Sequence, residues 1–374
     1  MQCLSFIPQW AGLIIGLIFS INCIADTEYI RVSSFIKEHP EQHSLMEHFG
    51  ELVRQPPSPL TVQKQKTIKI AVIYPGVQSS DYWRRSLITF KTRLNELRIS
   101  HELKTFLSRP GVDKDLQAEQ LTEALAWQPD YLIFSADALD HQNTIQRILL
   151  QGKPKLILQN ITTPLKLWAS HPPFLYTGFD HEIGTQLLAE RMITPDHSQY
   201  AMLFFAPGYV SKMRGGTFIS EAKQQQGLSQ VASFYTGGNR GKARAAALKT
   251  LSKNPEVDMF FACSTDIALG VSDALDELKL HDQILVNGWG GGDAELEALL
   301  AGKLDLTVMR LNDDASVAMA EAIKLDLNGS SHLVPQIYSG DIVLLDRSTT
   351  KEEIQNYKNR AFRYSNAAVK QSEK

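Results

Sequence analysis

A chain of 374 residues, 43% apolar and with a formal net charge of −3, has room for two domains of ordinary size, each with its own core. That composition excludes a disordered chain. Near-balanced charge, without a basic stripe or interleaved basic and aromatic residues, argues against a nucleic-acid partner.

The first charged residue is Asp26, and before it 11–21 form an apolar run followed by Asn22-Cys-Ile-Ala25, small residues suited to a cleavage site. Residues 1–25 therefore read as a secretory signal. A run of this length matches a signal core better than a membrane span, and Ser20-Ile-Asn-Cys23 lacks the small residues expected before a lipidated cysteine. Cys3 and Cys23 leave with the signal, so Cys263 has no internal partner for a disulfide and reads as a small buried hydrophobe. Residues 26–66 read as an extension: 29–52 is helix-like, and Gln55-Pro-Pro-Ser-Pro-Leu60 stops the helix and stiffens a linker. Its expected role is to brace the body or to touch a partner.

From Thr67 onward, apolar runs of strand length alternate with segments of helical period, the signature of serial βαβ units and parallel sheets. Strands are expected at 68–74, 101–106, 131–135, 155–159 and 174–177, and after Gly178 again at 200–205, 230–235, 259–262, 284–286 and 304–308. Two similar halves of about five strands follow. A helix over 313–327 and a strand-like run over 336–345 are surplus to the second half unless the chain crosses back, and such crossings make a hinge between two lobes. The fold class is α/β, two doubly wound parallel-sheet lobes joined by a multi-strand hinge. The expected N-terminal lobe is 67–177 plus 310–337, the C-terminal lobe 178–309 plus 338–365, and 366–374 a tail.

Ligands in such folds sit at the carboxyl edge of the strands. There the first strand yields Gln78, Ser80 and Trp83, the fourth Asn160, the sixth Arg214, the eighth Ser264, Thr265 and Asp266, the ninth Trp289 within Asn287-Gly-Trp-Gly-Gly-Gly292, and the tenth Arg310. Indoles cover apolar or ring faces, amides and hydroxyls read hydroxyl groups, and forked guanidiniums hold oxygen-rich anions. The expected ligand is small, polyhydroxylated and anionic. Each residue also has a plainer reading: Trp83 as the start of the core stripe Trp83, Leu87, Phe90, Leu94, Leu97, Ser264 and Asp266 as helix caps, and the arginines as surface ion-pair residues. Asn160 opens the formal glycosylation acceptor Asn-Ile-Thr162, a pattern common by chance. Thr265, between two expected contacts, is the weakest member. Catalytic signatures are missing. His181-Glu-Ile-Gly-Thr185 lacks the second histidine of a zinc helix, no Walker loop or serine elbow appears, and Asp293 breaks the dinucleotide pattern. No metal and no Rossmann cofactor is expected.

Five blocks carry a resemblance: Tyr74-Pro-Gly-Val-Gln-Ser-Ser-Asp-Tyr-Trp83, Leu156-Ile-Leu-Gln-Asn-Ile-Thr-Thr-Pro164, Ala262-Cys-Ser-Thr-Asp-Ile-Ala-Leu-Gly270, Asn287-Gly-Trp-Gly-Gly-Gly292 and Thr307-Val-Met-Arg-Leu-Asn-Asp-Asp314. Together, over about 29–365, the chain resembles the LuxP-type periplasmic receptors for autoinducer-2, within the ribose-type periplasmic binding proteins. It departs from the ribose-type pattern where Arg214 and Trp289 enter the cleft set. The resemblance implies a periplasmic location and a furanosyl borate diester ligand, with boron present only as part of that ligand. It further implies two arginines beside the borate, matched by Arg214 and Arg310, and a LuxQ-type membrane sensor kinase whose periplasmic domain reads the open and closed forms. The alternative is the substrate-binding protein of a sugar transporter, with a neutral ligand. A sugar-sensing repressor would need an N-terminal DNA-binding helix pair, and an enzyme on this scaffold would turn its ligand over.

Overall fold

The structure is a computed structural model that describes residues 28–61, 66–78, 80–135 and 140–366. The expected signal, with Cys3 and Cys23, and residues 367–374 of the expected tail lie outside them. The described chain opens with α1 (Val32–Glu38) and α2 (Pro40–Arg54), where the sequence pattern reads as one helical stretch. Pro40 makes the break: it has no N–H to continue α1, and its fixed φ suits the first position of α2.

The first run of units is β1 (Ile68–Tyr74), α3 (Tyr82–Glu96), β2 (His101–Leu107), α4 (Lys114–Ala126), β3 (Tyr131–Phe134), α5 (Gln142–Gln151), β4 (Lys155–Gln159) and β5 (Leu175–Phe179). After a crossing at Asp180 come α6 (His181–Met192), β6 (Gln199–Phe204), α7 (Thr217–Ala222), β7 (Ser229–Tyr235), α8 (Arg240–Lys253), β8 (Met259–Ala262), α9 (Thr265–Leu278), β9 (Leu285–Gly290), α10 (Asp293–Leu300) and β10 (Leu306–Arg310). The chain then recrosses to α11 (Asp313–Leu327) and β11 (Ile337–Gly340), and crosses a third time into β12 (Ile342–Asp346) and α12 (Lys351–Ala361).

The strands form two six-stranded sheets, ordered β11-β5-β4-β3-β1-β2 and β12-β10-β9-β8-β6-β7. Both orders reverse beside the first strand of the half, at β1/β3 and β6/β8, the switch points where doubly wound folds open a crevice. The expected single strand over 336–345 is corrected here: it divides at Asp341, β11 pairing parallel with β5 and β12 antiparallel with β10. The sixth strand of each sheet therefore comes from the returning chain, and the second sheet has one antiparallel edge.

Burial explains the apolar runs. In β1, Ile70, Val72 and Tyr74 enter one core cluster while Ala71 and Ile73 enter another, so both faces are covered and no polar alternation survives. In the first lobe, α3 packs beside α11. Between them Arg93 donates from Nε and Nη2 to Glu321 at 2.9 and 2.6 Å, with both side chains fully buried. The N-terminal extension braces the body. Tyr29 forms a β-bridge with Leu165, Glu28 pairs with Lys212 at 2.9 Å, and Arg31 pairs with Glu182 at 3.2 Å. Among the described residues no helix is long and apolar enough to cross a membrane.

Candidate functional site

Each sheet presents its strand ends to the other across the three crossings, and the gap between them is a cavity enclosing about 530 Å³, mouth included. Gln78 and Ser80 reach it from the turn between β1 and α3, Trp83 from the first turn of α3, and Asn160 from the end of β4. From the other lobe come Arg214, Ser264, Thr265, Asp266, Trp289 and Arg310. All ten line this one cavity. Tyr82, Pro75, Pro110, Phe205 and Val210 complete the wall. A neighbouring cavity shares Trp83 and Asn160 with it and runs toward Tyr209.

Local structure puts each group in place. Ser264 stands at the cap position of α9 with extended backbone, yet its side chain makes no capping bond; the hydroxyl is buried and without a hydrogen-bond partner. The plain capping reading of Ser264 therefore fails. Trp83 is both core and wall: it packs on Tyr74 at 4.8 Å and edge-on to Tyr82 at 4.6 Å while lining the cavity. Asn160 adopts a left-handed backbone (φ 65°). It lies so near β5 that a Cβ on Gly178 would come within 2.9 Å of its Cα. The side-chain oxygen of Asn160 is likewise buried and unpartnered.

Arg214 sits on a π-helical turn, Ser211–Gly216, the kind of distortion that re-aims a side chain at functional sites. Gly215 allows this turn to lie against the ring of Phe204, which a Cβ there would overlap. The Arg214 guanidinium stacks on Trp289 at 3.5 Å, donates from Nε to His181 Nδ1 at 2.8 Å and from Nη1 to the Cys263 carbonyl at 2.8 Å. Arg310 lies over the Tyr82 ring at 3.9 Å, across the lobe boundary, and its Nε has no partner.

Both arginines are almost wholly buried, and among the described residues neither has a carboxylate at ion-pair distance. The surface ion-pair reading of these arginines thus does not hold. Burial pushes both guanidiniums below their ordinary range, Arg214 far below it with Arg310 adding repulsion. Glu295 provides some opposing field, but its oxygens are engaged by Trp289 N at 3.1 Å, Gly291 N at 2.8 Å and Thr307 Oγ1 at 2.5 Å. The cavity therefore presents two desolvated guanidiniums, the buried Asp266 carboxylate, orphaned hydroxyl and amide groups and four aromatic side chains. Such a wall can hydrogen-bond a small oxygen-rich ligand.

Besides the wall residues Pro110, Phe205 and Val210, Tyr82 and His181 are site residues the sequence pattern does not single out. Tyr82 adjoins Trp83, and helical spacing assigns adjacent residues to different faces. His181 stands out only as half of a zinc motif, and among the described residues no metal-holding group exists. Cys263 is wholly buried and its thiol is pushed up to about 12 by that burial, as befits a structural residue.

Two doubly wound lobes with three crossings and a polar, ligand-sized cleft between their strand ends define a two-lobed solute-binding protein. The chain belongs to the family described as periplasmic binding protein domain, whose model matches residues 70–331. These proteins bind solutes and do not transform them; the chain is not an enzyme. It is similar to an ABC transporter periplasmic solute binding protein from Actinobacillus succinogenes 130z with bound D-allose, at 20% identity and TM-score 0.66 over 78% of this chain and 100% of that one. An ABC transporter solute binding protein from Agrobacterium vitis with bound D-fucose matches at 17% identity and TM-score 0.69, covering 77% and 99%. One from Bacillus halodurans C-125 with bound myo-inositol matches at 17% and 0.66, covering 80% and 100%. At these identities the likeness is one of fold.

Proposed function

We propose that the protein is a periplasmic receptor for the furanosyl borate diester form of autoinducer-2, bound in the interlobe cleft and relayed to the periplasmic domain of a membrane sensor kinase. The observation that carries this reading is the pair of buried guanidiniums without carboxylate partners. A buried unpaired cation is costly. A tetrahedral borate brings a negative charge to the two guanidiniums, while a neutral sugar adds none to that of Asp266 on the same wall. At an effective dielectric of about 20, opposite unit charges about 4 Å apart gain about 4 kcal/mol, enough for the charge on the ligand to dominate selectivity. The orphaned Ser264 hydroxyl and Asn160 amide oxygen suit the hydroxyl groups of a furanosyl ring. Binding shifts the population toward the closed form through contacts to both lobes, and a surface present only in that form is what a kinase reads.

A second reading, the substrate-binding protein of a sugar transporter, is favoured by the structural neighbours, which hold D-allose, D-fucose and myo-inositol. Calorimetric titration with the autoinducer-2 precursor, with and without borate, and with D-ribose separates the two. The receptor reading expects tight binding only with borate. Ribose binding that ignores borate transfers the protein to sugar uptake. Within the receptor reading, Arg310→Ala weakens the borate-dependent complex by about 3 kcal/mol, roughly a hundredfold or more. The same change leaves the unfolding midpoint of the ligand-free protein level or raised, because no ion pair is broken. Equal losses of affinity and stability would make Arg310 a structural residue.

A further inference from the structure

We infer that His181 is the residue that makes this cleft select an anion: its imidazole fills, without charge, the place beside Arg214 that a carboxylate usually takes beside a buried arginine. The guanidinium is thereby held in position while its charge is left for the ligand. This rests on the anionic-ligand reading above and names the group that enforces it. His181 is the first residue of α6, at the first crossing between the sheets, and is 1% exposed. One ring nitrogen, Nδ1, lies 2.8 Å from Arg214 Nε, which only donates; the other, Nε2, lies 3.2 Å from the Asn160 carbonyl oxygen, which only accepts. The two partners together fix the tautomer with the proton on Nε2 and a bare acceptor at Nδ1.

The ring has no freedom to leave this role. Trp289 stacks on it at 5.1 Å and 25°, and Tyr209 meets it edge-on at 5.3 Å and 89°. Arg214 in turn touches three partners, an imidazole, an indole face and a backbone carbonyl, and each is neutral. Burial and the adjoining Arg214 hold the imidazole well below its ordinary range, in keeping with a proton-free Nδ1. The arrangement also ties the lobes together, since the Asn160 carbonyl belongs to the first, Arg214 to the second, and His181 to the crossing between them. A carboxylate in the same place would hold Arg214 equally well and cancel its charge. His181 is thus a positioning residue whose chemical identity sets ligand charge.

The test compares wild type with His181→Asp, His181→Ala and His181→Asn, each titrated with the autoinducer-2 precursor plus borate and with D-ribose. His181→Asp is expected to fold at least as stably and to lose the borate complex by at least about 30-fold, with ribose affinity unchanged or improved. His181→Ala is expected to lose affinity through a misplaced guanidinium, and His181→Asn, whose Oδ1 can accept from Arg214, to recover most of that loss. Borate-dependent binding by His181→Asp equal to wild type overturns the inference and leaves the receptor reading standing. Wild type that shows no borate dependence ends that reading instead. In that event the long-range ¹⁵N–¹H correlation of His181 in the ligand-free protein decides the inference: the neutral Nε2–H form over pH 6–8 is expected, and an Nδ1–H tautomer or an imidazolium overturns it.

Discussion

At the scale of single residues, the cleft is a set of polar atoms that the protein itself leaves unsatisfied. The Ser264 hydroxyl, the Asn160 amide oxygen and Arg310 Nε have no hydrogen-bond partner, and each belongs to a residue lining the same cavity. Buried polar atoms of this kind are a cost to the folded chain, so Ser264→Ala is expected to weaken ligand binding about fivefold to tenfold while leaving the unfolding midpoint level or raised. A fall in stability without a fall in affinity would show a structural hydroxyl. His181 adds a pH signature. Its folded pKa is depressed below the ordinary value, so as pH falls through about 6.5 the unfolded chain takes up a proton that the folded chain refuses. Stability contributed at neutral pH is lost on acidification, at up to about 1.4 kcal/mol per pH unit. The groups facing the ring are Arg214, Arg310 and Tyr209. Denaturant midpoints from pH 7 to 5 should therefore fall less steeply for His181→Asn than for wild type, and parallel slopes would mean that the imidazole protonates inside the folded protein.

At the scale of elements, what was legible in the chain is what has a period. The continuous apolar run of β1 and the stripe of α3 follow from burial on both faces of a strand and one face of a helix, and the helix expected over 313–327 coincides with α11. What lacks a period was not legible. The division of 336–345 turns on Asp341, which joins two short strands in different sheets; the Ser339-Gly340-Asp341 interruption marks a break but does not say that the two pieces pair with different sheets. The π turn that carries Arg214 leaves no trace except Gly215, whose missing side chain matters only because Phe204 arrives there from β6. Tyr82 and His181 escaped for the same reason: their neighbours in space come from distant segments. Gly215→Ala forces the turn off Phe204 and moves Arg214, so it is expected to lower both stability, by about 1–3 kcal/mol, and affinity; intact affinity would show that the turn does not set the guanidinium. Glu321→Ala removes the buried partner that Arg93 shares with Lys324, leaving Arg93 with Glu96 at 3.8 Å, and is expected to cost about 3–5 kcal/mol in denaturant unfolding. A loss below 1 kcal/mol would mean that water reaches the guanidinium.

At the scale of the whole molecule, the lobes meet in contacts that only a closed cleft can make. Arg310, at the end of β10, covers Tyr82 at the start of α3. Arg85 of α3 joins Asp293 of α10 at 2.5 Å. The hydroxyl of Tyr209, beyond β6, accepts from Thr163 Oγ1 at 3.0 Å and from Thr162 N at 3.3 Å, both beyond β4. Opening about the three crossings must break all of these, so each contributes to the balance of open and closed forms, and through that balance to apparent affinity. Tyr209 suits this test, because it clasps the lobes from the wall of the neighbouring cavity rather than from that of the cavity holding the two arginines. Tyr209→Phe keeps the ring against His181 and removes only the hydroxyl. Losing about 1 kcal/mol from the closed form should weaken ligand binding about fivefold when the open form dominates without ligand, and the lost affinity should appear with the cavity wall intact. Small-angle scattering provides the second axis: the ligand-free variant should be at least as expanded as wild type, and both should contract to the same radius when saturated. Unchanged affinity together with unchanged scattering would show that the lobes do not exchange between open and closed forms. A signal read from closure would then have no physical basis in this chain.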